Sequence, residues 1–94
     1  MNKDYILKNT YYTEKYHILF TIKENGRYYS FYKDGKLLKE NILKYDLFFT
    51  YKDKKYQIEA PECDLDTNND IILDAFITSC RWTIENKIKE LKLY

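Results

Sequence analysis

The sequence predicts an α+β domain: an antiparallel meander of four or five strands with one long C-terminal helix packed on one face. Three observations carry this. Between Tyr16 and Ala60, apolar residues alternate with polar ones at period two. Short Gly- or Asp-containing breaks interrupt the alternation, so neighbouring strands are joined by tight turns. From Asp70 onward the period changes: Leu73, Phe76, Cys80, Ile84, Ile88 and Leu91 stand three or four positions apart, the face of a helix over 70–93.

The chain has 94 residues, enough for one core and one domain, with about 60–65% of the unfolded surface buried on folding. Residues 1–15 fit either a short helix or an added edge strand. In Tyr5-Ile6-Leu7 the apolar side chains are adjacent, and Tyr11-Tyr12 follow after a polar break. The meander proper spans 16–60. Tyr16, Ile18, Phe20 and Ile22 alternate with His17, Leu19, Thr21 and Lys23. Asn25-Gly26 then reads as a two-residue hairpin turn, with Glu24 opposite Arg27, Ile22 facing Tyr29 and Phe20 facing Phe31.

Asp34-Gly35 reads as a second turn, pairing Lys33 with Lys36 and setting Leu38 opposite Phe31. Lys39-Glu40-Asn41 breaks the pattern. It resumes with Leu47, Phe49 and Tyr51 on one side, turns near Asp53-Lys54, and continues with Tyr56, Ile58 and Ala60 until Pro61 ends the strand. Residues 61–69 are an acidic linker that supplies Thr67, Asn68 or Asn69 as helix caps. Its carboxylates complement the helix N-terminus, as Lys87, Lys89 and Lys92 do the C-terminus.

Composition limits the function. Sixteen basic and fifteen acidic residues give a net charge of +1, so no global field draws nucleic acid, and a charged partner must be read by a local patch. The two cysteines, Cys63 and Cys80, lack zinc-ribbon or disulfide-framework spacing, which suits a reducing cytoplasm. Neither a signal peptide nor a membrane-spanning run of apolar residues is found. Eleven tyrosines, beside abundant Lys, Asn and Ile and only two glycines, point to AT-rich codons and hence to a low-GC bacterial or phage source.

No catalytic set stands out. His17 is the only histidine, is placed on a strand, and has no nucleophile beside it. Glu59 and Glu62 are a pair that any acidic stretch supplies. Asp64, Asp66, Asn68 and Asp70 resemble the opening of an EF-hand calcium loop. Asn69 replaces its glycine, however, and Ala75 its bidentate glutamate, so ordinary helix capping is the simpler reading and no metal or other cofactor is implied.

Two surfaces invite a partner. Trp82 lies opposite the apolar stripe of the helix, near Ile71 and Ala75, where it is either an interface anchor or a residue covered by the N-terminal segment. The second sheet face carries Leu19, Tyr28, Tyr32, Leu37 and Phe48 beside Thr21, Ser30 and Lys23, and is more apolar than a solvated face usually is. The expected function is therefore that of a small non-enzymatic interaction protein that occupies a larger protein or ribonucleoprotein. A phage or mobile-element inhibitor of a bacterial defence nuclease has these features, as does a toxin-immunity protein. The face also suits pairing with a second copy. The alternative is single-strand nucleic-acid binding, with bases stacked on Tyr28 and Tyr32 and phosphates held by Lys23, Lys33 and Lys36.

Overall fold

The computed structural model describes residues 2–92, and Leu93, at the end of the expected helix, lies outside them. The elements run α1 (Lys3–Lys8), β1 (Tyr11–Tyr12), β2 (Leu19–Lys33), β3 (Lys36–Tyr51), β4 (Lys54–Glu59), a single 3-10 turn (Leu65–Thr67) and α2 (Asp70–Leu91). The sheet is an antiparallel meander in the order β1-β2-β3-β4. The α+β expectation holds. The N-terminal segment supplies both the short helix and the edge strand.

Asn25-Gly26 is not a turn. β2 runs straight through it, pairing Ile22 with Leu47 and Phe20 with Phe49, which replaces the expected pairings with Tyr29 and Phe31. A two-residue hairpin turn of this kind needs positive φ at both central residues. At the Asp34-Gly35 turn both have it, 52° and 77°, but at Asn25-Gly26 only Gly26 does. The extra residues form a bulge instead: Asn25, Gly26 and Arg27 stand opposite Lys44 alone, between the pairs Glu24–Tyr45 and Tyr28–Leu43. Asn25 stitches the bulge down, its Oδ1 accepting from the Arg27 N–H at 2.9 Å and its Nδ2 donating to Asp46 Oδ1 at 2.9 Å.

Lys33 does pair with Lys36, but Phe31 lies opposite Lys39 rather than Leu38. The break at Lys39-Glu40-Asn41 is a kink within β3, where Asn41 takes φ 56° and two residues oppose Ser30. His17 is likewise not on a strand. It occupies a tight connection at φ 54°, its N–H donating to the Thr13 carbonyl at 2.9 Å, and β2 begins at Leu19.

The core lies between one sheet face and α2. Phe20, Ile22, Tyr45, Leu47 and Phe49 meet Leu73, Phe76, Cys80, Ile84 and Ile88, all buried. β4 adds Tyr56 and Ile58, and the remaining end is closed by Ile6 and Leu65. Asn69 is the N-cap of α2, its Oδ1 accepting from Ile71 and Ile72 at 3.0 and 3.3 Å. A helix of 22 residues is about 33 Å long, whereas the molecule measures 42 Å along its longest axis. Beyond the bulge, β2 and β3 continue as an arm, a two-stranded ribbon on which every residue from 30 to 41 is exposed.

Candidate interaction surfaces

On the arm, Tyr28, Phe31, Tyr32, Leu37 and Leu38 are all exposed, Tyr32 at 60%. β4 pairs with β3 only from Asp46 onward, and β1 with β2 only at Leu19 and Phe20, so both edges of the ribbon are open. At its base a groove of about 470 Å³ runs between Tyr29, Phe31 and Ile42 on one side and Cys63, Thr67 and Ile72 on the other. Lys39 of the arm forms an ion pair with Asp64 across it. Sequence reasoning missed this groove, because the hairpin it assumed at Asn25-Gly26 left no arm to form a wall. The signal was Asn41, a residue type that tolerates positive φ, in the middle of an alternating run.

The structure separates residues that the sequence reading placed on one face. Leu19, exposed, and Phe48, half-buried, lie with Thr21 at a shallow depression of about 490 Å³ that also takes in His17 and Lys55. Tyr28, Tyr32 and Leu37 lie beyond the bulge, and further shifts at Tyr29/Phe31 and Phe31/Tyr32 reset the period-two count. The alternation from Leu19 therefore does not assign their side. Lys23 is paired with Asp46 on the near side of the bulge, apart from Lys33 and Lys36 at the arm's turn. The five residues for the stacking reading are thus divided along the sheet by the bulge.

Trp82 is exposed at 62%, on a solvent-facing stripe of α2 with Ile71 and Ala75, four and seven positions apart. The N-terminal segment passes beside it without covering it. The Tyr12 carbonyl accepts from Arg81 Nε at 3.1 Å, while Ile6 turns into the core.

Carboxylates of the acidic linker are engaged by its own backbone and by neighbouring elements. Asp64 Oδ1 accepts from the Asp66 N–H at 3.1 Å, its Oδ2 is held by Lys39, and Asp66 pairs with Lys3 at 3.6 Å. Asn68 closes the 3-10 turn at φ 57°, and Asp70 opens α2. These are the contacts of a helix-entry loop, and among the described residues no group of three or more His, Cys, Asp or Glu converges on a metal position. Among the described residues, no helix is long and apolar enough to cross a membrane.

Burial pushes the thiol of Cys80 up to about 12 and the Tyr29 hydroxyl up to about 12, and raises those of Tyr45 and Tyr11. Cys63 is raised by burial and then by Asp64, so neither thiol is primed as a nucleophile. The folded state holds these protons more tightly than the unfolded chain, whose thiols and phenols ionise near 9.0 and 10.0. The stability that these groups contribute is therefore fully present at neutral pH and is lost as pH rises from about 9 toward 12. Urea midpoints measured at neutral pH and above 10.0 check this, and an unchanged midpoint contradicts it.

Comparison with family models, with curated proteins and with solved structures finds no match to this chain.

Proposed function

We propose that this chain is a non-catalytic binding protein that seats on a larger macromolecular partner and blocks it, with Trp82 on the outer stripe of α2 as the anchor of the contact. The carrying observation is that Trp82 stands outside the apolar stripe of α2 that the sheet covers. The stripe containing Leu73, Cys80, Ile84 and Ile88 is wholly buried, so the core is complete without Trp82, which stays in water with Ile71 and Ala75 on the same side. Tryptophan is enriched among residues that dominate binding energy. Occlusion by a small protein with AT-rich codon usage is the mode of a phage or mobile-element inhibitor of a defence nuclease, and equally of an immunity protein that neutralises a toxin.

The test is Trp82→Ala. Because the indole is mostly exposed, stability is expected to stay within about 0.5 kcal/mol of the parent, while affinity for the captured partner falls by about tenfold or more. Thermal melts beside pull-downs from extracts of the source cell, with parent and variant as bait, read both quantities. Undiminished capture by the variant, or its unfolding, removes Trp82 from the contact.

A further inference from the structure

We propose that the arm and the groove at its base form the contact of a symmetric dimer, in which the arm of one protomer lies along the groove of its partner and reciprocally. A two-fold contact uses one patch twice, so the patch must be self-complementary. This one is. Between Arg27 and Glu40 the arm has four basic residues and two acidic, whereas residues 62–74 on the far side of the groove have five acidic and no basic. Arg27 and Lys39 are already paired with Glu59 and Asp64, and Glu62 and Asp66 with Lys44 and Lys3, so the charge on offer to a second copy is chiefly that of Lys33 and Lys36 on the arm and of Asp74 on α2. Both halves also expose apolar side chains: Phe31, Tyr32, Leu37 and Leu38 on the arm, Ile71 and Ile72 at the start of α2.

Within one protomer the two halves meet only at the arm's base, through Lys39 and Asp64. Lys33 and Lys36 are further out. They are cross-strand partners beside the turn, a like-charge pairing that weakens a hairpin unless an acidic group is brought to it. In the dimer, the partner's acidic segment supplies that group. The exposed apolar side chains of the arm and Ile72 at the groove give the contact an apolar component beside its charge. Trp82 lies outside this contact, although Ile71 belongs to both surfaces, so Trp82→Ala tests the reading above and the arm variants test the dimer.

Sedimentation equilibrium of the full chain at low salt, across a wide concentration range, tests the proposal. The expected result is twice the chain mass, returning to the single-chain mass as salt is raised. Lys33→Glu with Lys36→Glu is expected to abolish the dimer, as is Asp74→Lys. Mixing the two variants is expected to restore a heterodimer, because each then offers the other opposite charge at both ends. Phe31→Ser with Leu38→Ser alters only exposed residues and is expected to abolish the dimer while circular dichroism stays unchanged. A single-chain mass at every concentration overturns the proposal, and so does a dimer that survives both arm variants. It is also overturned if a single-stranded oligonucleotide binds the monomer through Lys33 and Lys36, because the arm then belongs to nucleic acid.

Discussion

Phe20→Ala is expected to lower the unfolding free energy by about 3–5 kcal/mol, the cost of removing a fully buried aromatic ring. Phe20 is 1% exposed at the centre of the sheet's core face. It is paired with Tyr11 of β1 on one side and Phe49 of β3 on the other, and its ring lies 5.6 Å from that of Tyr11. Truncation leaves a hole between three strands and strips β1, only two residues long, of the side chain it packs against. Small domains have about 5–15 kcal/mol in all, so a loss of this size is a large part of the total. A urea titration of the two proteins measures it, and a midpoint shift worth under about 1 kcal/mol would show that the site collapses around the missing ring.

Ile6→Ala is expected to cost about 2–5 kcal/mol, although Ile6 belongs to a six-residue helix near the chain terminus. So short a helix does not persist by itself in water. Asn2 caps it, accepting from the Tyr5 N–H at 3.0 Å, and the Tyr11 hydroxyl donates to the Ile6 carbonyl at 3.1 Å. Its only fully buried side chain is Ile6, at 0% exposure. Without that side chain α1 has little to hold it, and hydrogen exchange should quicken across α1 and β1 before it does in α2. Equal protection in parent and variant would mean that α1 is held by its polar contacts alone.

The α2 stripe was legible because helical spacing and burial report the same residues. Six positions were expected there; Leu73, Phe76, Cys80, Ile84 and Ile88 are buried, and Leu91 is partly so. The core sides of β3 and β4 were legible for the same reason at period two: Leu47 faces Ile58, and Phe49 stacks on Tyr56 at 5.2 Å. Asn25-Gly26 misled because the same dipeptide suits a turn and a bulge. What separates them is the φ of Asn25, which tertiary pairing decides.

The arm and groove escaped notice because burial, the force that makes periodicity visible, does not act on residues 30–41. Trp82 could be placed opposite the core by angle alone. Whether the N-terminal segment would cover it depended on where Ile6 docks, and no local pattern reports that.

The Asp34-Gly35 turn has a bearing on how the chain folds. Hairpins of this kind close in about 1–10 μs, and this turn is at the tip of the arm, whose residues from 30 to 41 are all exposed. Its pairing is thus the one that hydrophobic collapse does least to check. Alignment must pass through the kink at Asn41 and the bulge at Gly26 before reaching residues for which a slip would turn a buried side chain out into water. The left-handed backbone at Asn41 and Gly26, together with the Asn25 amide on Asp46, fixes where the extra residues are absorbed, and so keeps an early misalignment at the tip from being carried into the interior.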